Sequence, residues 1–329
     1  MSNTSAHILV YPFPASGHII PLLDLTRLLL TRGLTVTVLV SPSHLPLLQP
    51  LLSSHASVQP LVLSPEPEPP SSSPLGLPAK IRATAALYDP ILQWFRSHPH
   101  PPVAIVSDFF LGWTHRLATD LGVPRVAFWP SGAFAASITP HIRDPDSEVM
   151  RNGMLANFQS WGAVFNSFTE LERVYIDHVK KEMGHKKVWA VGPLLPPTDD
   201  QTEPTDRGGS SAVPAHEVMT WLDGKRDESV VYVCFGSRVE LTSKQTEVLA
   251  AALERSEVHF IWCVQEHVAG ESVSGTRLER TRVKEMCKAA WNAVKGGSST
   301  RDLDELVEKL MSLVKINDVR VHLLVSALE

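Results

Sequence analysis

Apolar residues near the start of the chain follow two periodicities, one typical of buried strands and one typical of helices. Residues 7–13 (HILVYPF) form a short apolar run, and residues 34–41 (LTVTVLVS) form a second, rich in β-branched residues, as in strands covered on both faces. Between them, residues 18–33 place apolar side chains at helical spacing, with Pro21 in the expected first turn and Gly33 as the stop. The pattern predicts a strand-helix-strand unit.

A second cycle of the same kind follows in the chain. VAIVSD (103–108) predicts a strand, FLGWTHRLATDLG (110–122) a helix that ends at glycine, and RVAFWPS (125–131) another strand. Strands that alternate with helices favour a parallel sheet with helices on its faces. The predicted fold class is therefore α/β.

The pattern restarts after residues 196–216, a polar stretch rich in proline and glycine that we predict to be an interdomain linker. From residue 265 the chain is polar and then helical, and only its apolar tail offers one more candidate strand. Two or three strands are few for an independent doubly wound domain. The elements predicted after the linker are a helix at 217–225, a strand at 229–237, a helix at 243–256 capped by Ser243, and a strand at 258–264.

The length of 329 residues also argues for two domains, because single hydrophobic cores rarely grow beyond about 250 residues. We predict two Rossmann-like lobes, of which the second is incomplete. The N-terminal domain is expected over 1–195, the linker over 196–216 and the C-terminal domain over 217–329.

Composition narrows the classes of partner. A net charge of -5 and a pI near 6.3 give no electrostatic footprint for nucleic acid. The longest apolar stretch, 19–30, is interrupted by Asp24 and Arg27, so we expect no membrane span and a cytoplasmic location. The three cysteines lack CxxC spacing, and Cys234 and Cys263 lie in strand-like runs where cysteine acts as a small hydrophobe. Neither a disulfide nor a metal site is expected.

His18 is the first candidate for chemistry, in the stretch FPASGHIIP (13–21). It follows a predicted parallel strand and opens a helix, the position where open α/β sheets bind ligands. A helix N-terminus disfavours the imidazolium, so a histidine there stays neutral and available as a base. The alternative is that His18 only forms a hydrogen bond within the turn, and the pattern leaves both interpretations open.

Asp108 is the candidate partner of His18, because it ends a strand of the same predicted sheet and comes to the same edge. Its alternative role is to cap the helix that begins near Phe110. In the second lobe, the CFGS turn (234–237) follows a strand, and its glycine and Ser237 could approach a phosphate, although an ordinary turn is the alternative. Neither GxGxxG nor GxxxxGKS is present, so dinucleotide oxidoreductases and P-loop nucleotidases lose support.

Together these stretches resemble the plant family of UDP-sugar-dependent glycosyltransferases, and its flavonol-glucosylating branch most of all. The similarity extends over most of residues 6–266. It is carried by FPASGHIIPLLDLTRLLLTRG, VSDFFLGWTHRLATDLGVPRVAFWPSGA, SWGAVFNSFTELE, VWAVGPLLP, WLDGKRDESVVYVCFGS and FIWCV, in the order of the family, and by GGSSTRDLDELVEKL near the end.

The resemblance implies a glycosyltransferase-B fold and a role for each candidate residue. His18 deprotonates a hydroxyl of a small acceptor such as a flavonoid, and Asp108 orients His18 and balances its charge. The hydroxyl attacks the sugar of UDP-glucose with inversion, while the backbone near Gly17 and the hydroxyl of Ser237 contact the diphosphate. No metal and no cofactor are implied, since the UDP-sugar is a co-substrate, and a monomer is expected.

The sequence also departs from the family pattern. The family's long donor-binding box, which opens with Trp-Ala-Pro-Gln and contains His-Cys-Gly-Trp-Asn-Ser, is expected between Val268 and Arg277 and is not in this sequence. A smaller gap falls near 142–145, and the tail 315–329 does not match the family ending. The residues therefore leave two functions open, a glycosyltransferase and a catalytically inactive truncated homologue that lacks donor binding.

Overall fold

The computed structural model describes residues 5–64, 77–138, 148–195, 215–235, 241–256, 258–263 and 280–325. These residues separate into two compact units. The first unit contains the described residues within 1–197 and 285–329, and the second unit those within 198–284. The predicted gaps near 142–145 and 268–277, and most of the predicted linker, lie outside the described residues.

The first unit is built on a seven-stranded sheet whose neighbouring strands are all parallel. The strand order is β3-β2-β1-β4-β5-β6-β7, so the chain moves outward from β1 to β3 and then returns to the other side of β1. The order therefore reverses between β1 and β4. This finding confirms the predicted α/β class. The strands are β1 His7–Tyr11, β2 Thr35–Val40, β3 Val58–Val62, β4 Ala104–Asp108, β5 Arg125–Trp129, β6 Gly162–Phe165 and β7 Val188–Ala190.

Helices connect these strands, and the first of them begins earlier than the sequence pattern indicated. Helix α1 starts at Ser16, which places Pro21 inside the helix rather than in its first turn. Because proline has no N–H, residue 21 cannot donate the usual helical hydrogen bond to the carbonyl of Gly17, four residues earlier. The other helices before residue 196 are α2 Leu45–Ser54, α3 Leu77–Ala85, α4 Tyr88–Ser97, α5 Thr114–Leu121, α6 Ala133–Ile138, α7 Glu148–Phe158 and α8 Thr169–Met183.

Alternate residues of the central strands fill two separate cores. Ile8 and Val10 of β1 belong to the core on one face, and Leu9 and Tyr11 belong to the core on the other. This alternation follows from the period of two in a strand. Both faces are apolar because helices cover both, as is typical of parallel sheets.

The described residues from 285 onward belong to the first unit, which differs from the predicted domain of 217–329. Helix α11 spans Arg280–Val294 and α12 spans Ser298–Val325. Leu303, Leu306 and Leu310 of α12 are buried in the core that contains β1 and β2. Their spacing of three and four residues puts them on one helical face. The tail that offered a further strand is helical as far as Val325.

The second unit contains a two-stranded parallel sheet formed by β8 Val230–Cys234 and β9 His259–Cys263, with helices α9 Ala215–Asp223 and α10 Ser243–Arg255. Helix α10 is capped by Thr242, not by the predicted Ser243, because the Thr242 side chain accepts from Gln245 N in a complete capping box. Cys234 and Cys263 are the last residues of their strands, and both are exposed. The expectation that they act as small hydrophobes is therefore wrong. Within the described residues, no helix has the length and apolar character required to cross a membrane.

Candidate active site

His18 lies in the first turn of α1, immediately after the loop that leaves β1. The N-cap residue of the helix is Ala15, whose side chain caps nothing, and the main-chain N–H of His18 donates to Ala15 O at 2.9 Å. The side chain of His18 is 14% exposed. It therefore remains accessible to a small molecule although most of its surface is covered.

Asp108 is the last residue of β4 and is completely buried. His18 Nδ1 and Asp108 Oδ2 are 2.8 Å apart, and the other carboxylate oxygen accepts a hydrogen bond from Phe110 N at 2.9 Å. The two alternative roles considered for Asp108 are therefore both present in the structure. One oxygen contacts the histidine, and the other caps the 3₁₀ turn Phe109–Leu111.

Aromatic rings surround the His18–Asp108 pair. The His18 ring lies 5.7 Å from the stacked ring of Phe109, 4.9 Å from Phe110 and 5.4 Å from the edge-on ring of Phe13. Phe109 in turn stacks on Trp129 at 4.3 Å. These rings exclude water from one side of the pair. The sequence showed them only as apolar residues in strands and turns.

Burial raises the pKa of the Asp108 carboxyl, while the hydrogen bond from His18, that from Phe110 and the charge of Arg125 act in the opposite direction. A carboxylate beside Nδ1 accepts a hydrogen bond, so an anionic Asp108 favours the neutral His18 tautomer that carries its hydrogen on Nδ1. Nε2 then has a free lone pair, and no group among the described residues forms a hydrogen bond with it. The arrangement can accept a proton at Nε2 and stabilise the resulting imidazolium.

Two buried polar residues near Asp108 were missed by the sequence analysis. Arg125, the first residue of β5, is 1% exposed and donates to Asp108 O at 3.2 Å. Asn157, near the end of α7, donates to Phe109 O at 2.9 Å. The only available signal was a single arginine at the start of the apolar run RVAFW, and the run gave no indication of its partners.

The structure describes one of the two predicted donor-binding residues, Gly17. Gly17 is exposed in the first turn of α1, and a Cβ added there meets no atom within 4 Å. That open space is compatible with a ligand close to the backbone. Ser237 lies outside the described residues, so the structure places only the preceding strand β8.

An open depression lies at the carboxyl ends of β1 and β2. Its wall includes Pro14 and Ile19, which flank His18 in the chain, and the side chains of Ser41, His44 and Thr84 contribute the polar groups. The remaining lining residues are Tyr11, Pro12, Leu39, Val40, Leu63 and Leu87. An apolar recess with few polar groups is typical of sites for small organic molecules.

The described residues contain no group of three or more histidine, cysteine or acidic side chains that could hold a metal ion.

Comparisons with known proteins identify relatives of this chain. The chain is 44% identical over 325 residues to UDP-glycosyltransferase 89B2 of Stevia rebaudiana, which covers 83% of this chain and 68% of that protein. It is 43% identical over 331 residues to flavonol 3-O-glucosyltransferase UGT89B1 of Arabidopsis thaliana, covering 84% of this chain and 68% of that protein. No protein-family model matches the chain.

Among solved structures, the crystal structure of Arabidopsis thaliana UGT89C1 complexed with UDP-L-rhamnose superposes with a TM-score of 0.82 at 29% identity. The match covers 94% of this chain and 100% of that chain. Sequence similarity and fold similarity agree in these comparisons. The chain belongs to the plant family of UDP-dependent glycosyltransferases.

Proposed function

We propose that the chain activates a hydroxyl of a small aromatic acceptor, such as a flavonoid, for transfer of glucose from UDP-glucose with inversion. The observation that carries the proposal is the 2.8 Å contact between His18 Nδ1 and Asp108 Oδ2 at the edge where the strand order reverses. Ligands of open α/β sheets bind at such a point, outside the carboxyl ends of the strands.

The proposed reaction begins with transfer of the acceptor's hydroxyl proton to His18 Nε2. The Asp108 carboxylate stabilises the imidazolium that forms, because it holds the Nδ1 hydrogen and supplies the opposite charge. The acceptor oxygen forms a bond to the anomeric carbon while the bond from that carbon to the diphosphate oxygen breaks. Attack opposite to the departing UDP inverts the configuration, and His18 then releases its proton to solvent.

The acceptor class is supported by the relatives and by the depression beside α1, whose wall includes Ile19, the residue after His18. Its lining is mostly apolar, with the Ser41 hydroxyl and the His44 ring as polar partners, while the buried Thr84 hydroxyl already bonds Ile81 O and Trp113. A flat polyphenol matches such a surface, since its rings cover apolar area and its hydroxyls can bind the few polar groups. The name of the relative UGT89B1 states flavonol as its acceptor, which supports the same class here.

On the donor side, we propose that the backbone at Gly17 and the hydroxyl of Ser237 contact the diphosphate, where negative charge grows as UDP leaves. The long donor-binding box of the family is not in this sequence. Each polar contact to the donor contributes roughly 1–3 kcal/mol, so losing several weakens donor binding by several powers of ten.

A second candidate function follows from that missing box, from the 68% of the relatives' length that the chain covers, and from the two-stranded sheet of the second unit. In this case the chain binds an apolar acceptor and transfers no sugar. The site residues in the first unit are the same in both cases.

One experiment separates the two functions. The purified chain is mixed with UDP-glucose and a panel of flavonols, and glucoside and UDP are measured by chromatography and mass spectrometry. If the chain transfers glucose, both products form, and the rate of glucoside formation falls at least about 100-fold in His18→Ala. The matched variant His55→Ala, at the end of α2, shows no such fall in rate. Flavonol binding without products, and without UDP binding by calorimetry, supports the second function.

We further propose that the chain acts as a monomer in the cytoplasm without a metal ion or a bound cofactor. This proposal continues the expectations drawn from charge, apolar pattern and family resemblance. Light scattering of the purified chain tests the oligomeric state. Transfer that persists after treatment with EDTA tests the independence from metal.

A further inference from the structure

A buried arginine connects three elements beneath the candidate active site. The Arg125 guanidinium donates from Nε to Ser107 Oγ at 2.8 Å and from Nη2 to Asp108 O at 3.2 Å. Its Nη1 donates to Asn157 Oδ1 and to Ser160 Oγ, both at 2.9 Å. Strands β4 and β5 and helix α7 are therefore held together at the residue that contacts His18.

Asn157 contacts both Arg125 and the residue that follows Asp108. Its Oδ1 accepts from Arg125 while its Nδ2 donates to Phe109 O at 2.9 Å. The carbonyls of two successive residues, 108 and 109, are thus fixed by one guanidinium and one amide. We name residues 107–110 the Asp108 turn, since both main-chain acceptors, the Asp108 carboxylate and its partner Phe110 N lie within it.

The charge of Arg125 has no direct ionic partner. Its acceptors are two hydroxyls, one amide oxygen and one main-chain carbonyl, and no carboxylate among the described residues forms an ion pair with it. Burial lowers the pKa of Arg125 to about 9, so it remains cationic at neutral pH, and the charge of Asp108 acts in the opposite direction. A buried cation without a direct ion pair costs stability, and attraction between Arg125 and Asp108 offsets part of that cost.

We propose that Arg125, together with Asn157, is a positioning residue that keeps Asp108 oriented and anionic, so that Asp108 accepts the Nδ1 hydrogen of His18. The catalytic meaning of this inference rests on the proposed function. If the Asp108 turn moves, the acceptor for Nδ1–H is lost. If Asp108 is protonated, it donates to Nδ1 instead. In either case the hydrogen of neutral His18 shifts to Nε2, the atom that must accept the substrate proton.

A purely structural role for Arg125 predicts a different outcome. In that case, removing the guanidinium lowers the stability of the unit but leaves the hydrogen of His18 on Nδ1. The tautomer of His18 therefore distinguishes positioning from general stabilisation. It can be measured without turnover, so the result does not depend on whether the chain transfers sugar.

The test uses two-bond ¹H–¹⁵N NMR spectra of the full chain at about pH 8. His18→Gln assigns the His18 signals. The wild-type chain is expected to show His18 with its hydrogen on Nδ1. Arg125→Met, which removes the charge and all four hydrogen bonds, is expected to change the Nδ1–H to Nε2–H ratio by at least about tenfold toward Nε2–H. Arg125→Lys, which keeps the charge, is expected to shift the ratio less.

The matched control is Asp302→Asn, which alters a partly buried polar residue that accepts a hydrogen bond from Ala190 N of β7. Strand β7 is three positions from β4 in the sheet, so this variant should leave the His18 tautomer unchanged. If Arg125→Met does not fold, Asn157→Leu carries the same test, because it removes only the amide contacts. The inference is overturned if a folded variant keeps the wild-type ratio, or if Asp302→Asn shifts the ratio equally. A shift as expected in a chain that makes no glucoside retains the positioning role and rejects the proposed transfer.

Discussion

His18 Nδ1 and Asp108 Oδ2 lie 2.8 Å apart, although 90 residues separate them along the chain. They meet because β1 and β4 are parallel neighbours, with Tyr11 paired to Ser107. Asp108 extends one residue past that pair, and α1 returns His18 to the same edge of the sheet. The contact is therefore a consequence of strand register, which is more rigid than a contact between two loops.

The ring of Phe109 keeps water from this pair, so its removal should change the titration of Asp108. We predict that Phe109→Ala lowers the pKa of Asp108 toward the ordinary aspartate value, because burial is the main cause of the raised pKa. The measurement is a titration of the Asp108 carboxyl carbon by ¹³C NMR. The control is Phe134→Ala, which removes a ring on α6 that is 50% exposed. An unchanged Asp108 titration in Phe109→Ala contradicts the role given to the ring.

Helix α7 approaches Gly112, two residues beyond the Asp108 turn, so closely that a methyl group cannot fit between them. A Cβ added at Gly112 lies 2.2 Å from Gly153 O, inside the contact distance of real atoms. We predict that Gly112→Ala destabilises the unit by roughly 1–3 kcal/mol, since the helix must move. Urea unfolding measures the loss. The matched control is Gly17→Ala, where the added methyl group meets nothing, and a comparable loss in both variants rejects the explanation.

The sequence allowed the His18–Asp108 contact to be predicted because it depends on regular structure. The carboxyl ends of parallel strands share one edge, and both residues follow strands with clear apolar patterns. Arg125 could not be assigned in the same way. Its partners Asn157, on α7, and Ser160, just beyond the end of α7, lie 32 and 35 residues away in the chain. Only the packing of this segment against the Asp108 turn brings them together.

The position of α12 shows a second limit of the sequence pattern. Leucines at helical spacing predicted a helix, but the same spacing fits any apolar surface of suitable shape. The structure places Leu303, Leu306 and Leu310 in the core of the first unit. The Ser243 cap was wrong by one residue because Thr242 and Ser243 are both good caps, and the capping box with Gln245 decides between them.

A buried histidine at the start of β1 links the stability of the first unit to pH. His7 contacts His100 O at 2.7 Å and Thr37 Oγ1 at 2.8 Å, and burial lowers its pKa, with the main-chain contact opposing and the charges of His98 and His100 adding to the effect. A lowered histidine pKa means that stability is fully present above the unfolded-state pKa near 6.5 and is lost as pH falls through the folded-state value.

We therefore predict that the free energy of unfolding of the wild-type chain falls as pH decreases from about 7 to about 5, and that His7→Gln reduces this slope. Urea unfolding at several pH values measures the effect. His55→Gln, outside this cluster, should retain the wild-type slope. Equal slopes for His7→Gln and the wild type would falsify the assignment to His7.

Helix α12 should stabilise the first unit through its buried leucines. Leu306 is fully buried against the sheet, so Leu306→Ala is expected to cost about 2–5 kcal/mol of unfolding free energy. Glu305→Ala changes the neighbouring exposed residue and should be nearly neutral. Both values come from urea unfolding of the full chain. A small loss in Leu306→Ala, similar to that of the control, places α12 outside the cooperative core.

The two units should also differ in local stability, because their cores differ in size. The described core of the second unit contains three buried hydrophobic residues, Leu253, Val258 and Phe260, and its sheet has two strands. Two-stranded sheets are marginal without further packing. Amide hydrogen exchange should therefore be at least about tenfold faster in β8 and β9 than in β4, while residues 303–310 of α12 exchange as slowly as β4 does. Mass spectrometry of peptic fragments measures each segment. Slow exchange in β8 and β9 indicates that the second unit is stabilised as well as the first, and fast exchange at 303–310 contradicts the assignment of α12 to the first unit.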